Sequence, residues 1–171
     1  MDKFLTNYDF NKYIPKADDK VIKYSDLSDY SSLVELLPKK KDYRIMLIET
    51  RPSVGHWVAI LRDGDNFEYF DSYGVNPTSH LKTISRYMKE LLGMKPNDIN
   101  KLVSKIPKTN FKYNKMKLQK MEDGVNTCGR WVITRIQDFL KGKGLIDYQN
   151  KIKKGSKMNG MSSDEYVVSI S

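Results

Sequence analysis

The chain has 171 residues, 39% apolar and 30% charged, with 30 Lys+Arg against 21 Asp+Glu for a net charge of +9. That length suits one globular domain, and the apolar share excludes a chain disordered by composition. The lone cysteine, Cys128, excludes an internal disulfide, the opening MDKFLTNYDF lacks the apolar run of a signal peptide, and no stretch approaches the ~20 apolar residues of a membrane span, so a non-secreted protein without membrane contact is expected.

Residues 1–23 are polar and broken by Pro15, which predicts a loosely packed N-terminal arm on a single domain spanning 1–171. Residues 25–37 read as a short helix with Ser25 as N-cap and Pro38 beyond its end. Residues 44–50 read as a strand. Residues 55–62 and 66–73 are rich in β-branched and aromatic side chains and flank Asp63-Gly64, a two-residue hairpin signal of the I′ type. Residues 79–92 place Leu81, Ile84, Tyr87, Met88, Leu91 and Leu92 at helical spacing before Gly93. Residues 109–119 predict a strand. Residues 127–140 predict an amphipathic helix with Val132, Ile133, Ile136, Phe139 and Leu140 on one side, stopped by Lys141-Gly142 and Lys143-Gly144. The tail EYVVSIS suits a last helical turn or an edge strand. The class is α+β, with the Cys128 helix packed on a mostly antiparallel sheet.

The hairpin brings two chemically useful side chains together. With Asp63-Gly64 as the turn, Arg62 faces Asp65, Ile60 faces Phe67 and His56 faces Asp71. Opposed side chains share a sheet face with Cβ atoms ~5 Å apart. A carboxylate there fixes the imidazole tautomer and frees the other nitrogen as a base. A four-residue loop keeps this register, and a three-residue loop removes the pair. The same residues also suit a structural histidine facing a carboxylate.

Cys128 falls at the start of the second helix, where free N–H groups and the helix dipole favour a thiolate. Its own N–H can face a developing oxyanion, and Gly129 beside it allows close approach of a substrate. An inert thiol in a helix first turn fits the spacing equally well. His80, after Asn-Pro-Thr-Ser, reads as exposed and non-catalytic, and two histidines and one cysteine at distant positions lack the spacing of a metal site.

Three blocks in order, GHWVAIL (55–61), YFDSYG (69–74) and LQKMEDGVNTCGRWV (118–132), resemble the adenovirus-type and ubiquitin-like-protein-specific cysteine protease superfamily. The resemblance implies an adenain-like fold, with Cys128 as nucleophile, His56 as base and Asp71 as the group orienting it. It implies Gln119 as oxyanion donor, although Gln119 stands nine residues before Cys128, a longer gap than the family's usual one. It further implies Trp57 as the wall of a narrow channel admitting glycine, with Gly129 also lining the substrate path. The compact length and NTCGRWVITRI look most like maturation proteases of large DNA viruses and virophages. Cleavage of capsid or core precursors after glycine-containing motifs is the implied role, in the virion and at sites of virus assembly, by a monomer. No cofactor is expected, apart from DNA as a possible activator. The activating peptide tethered by a disulfide in adenovirus-type enzymes is not implied, because no second thiol exists.

Two other readings remain at this stage. One is removal of ubiquitin-like tags. The other is a basic virion protein that binds nucleic acid without catalysis, with Lys112, Lys115, Lys117 and Lys120 in a stretch free of acids, joined by Lys151, Lys153 and Lys154.

Overall fold

The computed structural model describes residues 3–171. Its centre is a five-stranded sheet in the order β1 (Val21–Lys23), β2 (Lys41–Arg51), β3 (Val54–Asp63), β4 (Asn66–Phe70) and β5 (Phe111–Tyr113). The β2–β3 and β3–β4 ladders are antiparallel, whereas the edge pairs β1–β2 and β4–β5 are parallel. The expected mostly antiparallel sheet is therefore antiparallel in the middle and parallel at both margins.

Both faces of the sheet are covered, which explains why β2 and β3 read as nearly continuous apolar runs rather than an alternation. On one face Tyr43, Ile45, Leu47, Trp57, Ala59, Leu61 and Phe70 pack against α4 (Cys128–Leu140), α5 (Leu145–Met158) and α6 (Ser163–Ile170). On the other, Met46, Ile48, Val58, Ile60, Phe67 and Tyr69 meet a 3-10 turn at Tyr24–Asp29, α1 (Leu33–Leu36), and two short helices after β4, α2 (Arg86–Leu91) and α3 (Asp98–Val103). Glu68 on β4 reaches the first layer, where Arg135 of α4 holds both its oxygens at 2.9 Å in a buried bidentate pair.

Several expectations change. The arm is not loosely packed over its described part: Phe10, Ile14 and Ala17 are buried in the α4 layer. The helix expected over 25–37 breaks at Tyr30-Ser31, and Ser32 rather than Ser25 caps the α-helical part by accepting from the Glu35 N–H. Residues 79–92 also divide, into a 3-10 turn at His80–Thr83 and α2, because the Ser85 hydroxyl caps a fresh start by accepting from the Met88 N–H. The strand expected over 109–119 shortens to three residues, and the chain then turns through Asn114. The tail is helical, not an edge strand. Leu140 is half exposed beyond the apolar side of α4. Nothing in the reading above marked α5, whose buried residues Leu145, Tyr148, Ile152 and Ser156 follow helical spacing amid lysines.

The hairpin register also moves. Asp63 pairs with Asn66, so Gly64-Asp65 and not Asp63-Gly64 form the turn. Gly64 takes φ +62° and Asp65 stays outside the left-handed region, which is the II′ pattern rather than I′. The slip is two residues. Because side chains alternate with period two, faces are preserved.

Candidate active site

The slip decides how His56 meets Asp71. Extended along the ladder, His56 would face Tyr73, and the two rings do stack, with centroids 4.6 Å apart and planes 11° apart. Asp71 becomes the diagonal neighbour, still on the same face. β4 ends at Phe70, the chain turns through Asp71–Gly74, and the carboxylate reaches His56 Nε2 at 2.8 Å from Oδ1. Gly74 closes that turn at φ +71°, and a Cβ there would lie 2.6 Å from the Met116 backbone, so a side chain is excluded. The Asn114 side-chain amide donates to the Asp71 carbonyl at 2.6 Å and fixes the end of the strand from the β5 side.

Cys128 approaches from the other layer. It opens α4, which packs on β3, and its thiol lies near enough to the His56 imidazole for each to shift the titration of the other. With Nε2 engaged by Asp71, the nitrogen left for sulfur is Nδ1. Burial pushes the Cys128 pKa up, but the His56 hydrogen bond, its charge, and the N–H groups of Trp57 and Gly129 outweigh burial and hold it below the ordinary thiol value. Burial likewise disfavours the imidazolium, yet the Asp71 and Cys128 hydrogen bonds and charges raise His56 to about 10. Burial would raise Asp71, but two histidine partners hold it well below the usual carboxylate range. Tyr73 is pushed up to about 12, first by burial and then by the negative charges of Cys128 and Asp71, so it stacks as a neutral phenol. A thiolate–imidazolium pair backed by a carboxylate is a nucleophile paired with a proton donor.

Gln119 is buried and enters the same region. Its Oε1 accepts from the Ser72 hydroxyl at 2.7 Å, and its Nε2 donates to the Val125 carbonyl at 3.3 Å, three residues before Cys128. The amide keeps a second N–H. The long Gln119–Cys128 gap is spanned by a loop that α6 holds: Asp164 accepts from Lys120 N–H at 2.9 Å, from Thr127 Oγ1 at 2.5 Å and from Trp131 Nε1 at 2.9 Å. Sequence reasoning missed Asp164. An acid in a helix first turn is its only signal, and nothing there points to Trp131.

Trp57 is buried, its Nε1 donates to the Leu5 carbonyl at 3.0 Å, and Phe10 meets its ring edge-on at 4.9 Å. The Leu5 side chain covers Gly129, with Cδ1 2.7 Å from where a Cβ would stand.

His80 is not an exposed bystander. Its Nε2 lies 2.5 Å from Asp71 Oδ2, and its ring centroid is 4.5 Å from that of His56. Ligand atoms of His56, Asp71 and His80 lie within 4.8 Å of one another, so folding gathers a cluster that sequence spacing did not show. Each imidazole Nε2 is aimed at its own oxygen of one carboxylate. That is the geometry of two N–H donors on one acceptor, and an ion would require both nitrogens to be deprotonated. Lys112, Lys115, Lys117 and Lys120 are exposed.

No family model matches the chain. It is 27% identical over 167 residues to "Uncharacterized protein V9" of Sputnik virophage, across 97% of this chain and 93% of that protein. Among solved structures it is similar to the ASFV pS273R protease, at 17% identity and a TM-score of 0.46, over 82% of this chain. The chain spans 60% of the length of that protease.

Proposed function

We propose that this protein is a cysteine endopeptidase that cuts viral capsid or core precursor proteins after glycine-containing motifs during virion maturation. The observation that carries the reading is one imidazole, His56, held on Nε2 by the Asp71 carboxylate at 2.8 Å and coupled in its titration to the Cys128 thiol at the start of α4. The Cys128 thiolate adds to the scissile carbonyl carbon. The oxyanion so formed is met by the Cys128 N–H and the spare N–H of Gln119. His56 passes its Nδ1 proton to the departing amine, leaving a thioester on Cys128. It then takes a proton from water, whose oxygen attacks the thioester, and returns that proton to the sulfur as the acid product leaves.

The viral setting rests on the likeness to a virophage protein. Action as a monomer in the virion and at assembly sites, with DNA as activator through the exposed lysines, belongs to the same proposal. The test is incubation with candidate capsid precursors, followed by mass spectrometry of the products, with Cys128→Ala as control. Cleavage after glycine by the wild type and none by the variant is the expected result. Adduct formation with a diglycine-ended ubiquitin probe, without precursor cleavage, would transfer the activity to tag removal. No cleavage of either, with salt-sensitive DNA binding intact, would leave a nucleic-acid-binding protein.

A further inference from the structure

Asp71 serves two histidines, and the mechanism above uses only one. Its Oδ1 accepts from His56 Nε2 at 2.8 Å and from the Tyr73 N–H at 2.9 Å. Its Oδ2 accepts from His80 Nε2. The carboxylate is fully buried, so an oxygen without a donor there would bear the desolvation cost of a charged group with nothing to offset it. Without His80 the carboxylate could lower that cost by rotating about its Cβ–Cγ bond, which would withdraw Oδ1 from the imidazole plane.

The chain takes some trouble to put His80 there. Asn76 Oδ1 accepts from the Thr78 N–H at 3.0 Å and the Thr78 hydroxyl at 2.9 Å, and the Asn76 carbonyl accepts from the Ser79 N–H at 3.1 Å. This turn delivers His80 as the first residue of the 3-10 turn, where the Thr83 hydroxyl donates to its carbonyl at 2.8 Å. Leu81 and Ile84 anchor the segment in the core layer beneath. The imidazole itself keeps some solvent contact, with 17% of its side chain exposed against 0% for Asp71. A residue included only for packing would not be held with its Nε2 on the remaining carboxylate oxygen.

We propose that His80 is a positioning residue of the active centre: its Nε2–H locks the Asp71 carboxylate so that Oδ1 stays on His56 and the thiolate–imidazolium pair with Cys128 is maintained. The inference rests on the reading of Cys128, His56 and Asp71 as the reacting group. The groups facing His80 are Asp71 from the β4 end, His56 from β3 and Tyr73 from the turn.

The test uses iodoacetamide alkylation of Cys128 against pH, which needs no substrate, beside kcat and KM on a cleaved precursor. His80→Ala should move the acid limb of the alkylation profile up by about one pH unit, roughly a tenfold loss of rate on that limb. It should lower kcat with little change in KM. His80→Gln, whose amide can replace the Nε2–H, should restore most of both. In the wild type, imidazole nitrogen NMR on the chain's two histidines should show a proton on His80 Nε2. A folded His80→Ala variant with an unchanged profile overturns the proposal. So does a Gln variant no better than Ala, an Nδ1–H tautomer in the wild type, or stoichiometric zinc retained at the three residues. If alkylation responds to His80 but no precursor is ever cut, the protease reading fails and the positioning role stands. If precursors are cut through Cys128 and His80→Ala behaves as wild type, only the positioning role fails.

Discussion

The Ser72 hydroxyl donates to the Gln119 side-chain carbonyl at 2.7 Å, and the Ser72 carbonyl accepts from the N–H groups of Leu118 and Gln119 at 2.9 Å each. One residue thus joins the strand end that carries Asp71 to the loop that carries Gln119. Because the hydroxyl occupies Oε1, the amide is oriented with its N–H groups on the opposite side. Ser72→Ala should leave Gln119 free to flip, lowering kcat by about tenfold with KM nearly unchanged. Gln119→Ala should cost about 10²–10³ in kcat, the usual loss for one oxyanion donor. Steady-state kinetics on a cleaved precursor checks both, and equal effects of the two variants on KM alone would contradict the assignment.

The titration of Cys128 offers a second check. Its pKa lies below the ordinary thiol value of 9.0 and that of His56 is raised to about 10, so the thiolate–imidazolium pair should persist through neutral pH. Alkylation should stay fast at pH 7, and hydrolysis should fall as pH approaches 10 and His56 loses the proton owed to the leaving amine. In His56→Ala, burial acts on the thiol without its main opponent. The alkylation rate at pH 7 should then drop at least about tenfold.

Leu5 covers Gly129 and its backbone carbonyl holds the Trp57 indole. Shortening the side chain should expose the start of α4. Leu5→Ala should speed iodoacetamide modification of Cys128 several-fold while the melting temperature changes little. Trp57→Ala, by contrast, empties a core position and should cost about 3–5 kcal/mol, measured by denaturant unfolding. A Trp57→Ala protein of wild-type stability would show that this ring is not the packing element described.

Asp164 accepts three hydrogen bonds around the loop that leads into Cys128. Asp164→Ala strands these donors at about 1–3 kcal/mol for each left dry. Stability should fall by more than about 3 kcal/mol, and activity should fall with it because the loop between Gln119 and Cys128 loosens. Asp164→Asn keeps acceptor capacity and should recover part of both. Chemical denaturation and kinetics on the same preparations measure the pair.

The lysines predict a salt-dependent partner. Gln149 of α5 donates to Asn114 Oδ1 at 2.8 Å, which brings that turn of α5 to the end of β5, while Lys151 pairs with Asp138 of α4 at 2.8 Å. Binding to DNA should be sequence-tolerant and decline steeply with salt, since phosphate contacts release counterions. Fluorescence anisotropy at two ionic strengths is sufficient, and a salt-independent signal would contradict it.

What the sequence made legible was the local and the strongly periodic. The α4 helix, the hairpin strands and the joint presence of His56 and Asp71 on one face were all readable. The pair survived a turn assigned one residue early because that error moves register by two and leaves parity intact. His80, Asp164 and Leu5 were not readable. Asp164 and Leu5 act across long separations and His80 across nine residues of irregular turn, and side-chain direction in such places leaves no periodic trace. The breaks inside 25–37 and 79–92 failed for another reason: Ser32 and Ser85 are caps that restart a helix within an apolar pattern that runs through them.

The Asp164 clamp also bears on timing. Ribosomes deliver Cys128 well before Asp164, and until the last helix emerges and docks, the Lys120 N–H, the Thr127 hydroxyl and the Trp131 indole have no common acceptor. The sheet, His56 and Asp71 are already available by then. A nascent chain therefore carries Cys128, His56 and Asp71 without the framework that fixes the loop before Cys128, until the segment bearing Asp164 has been made.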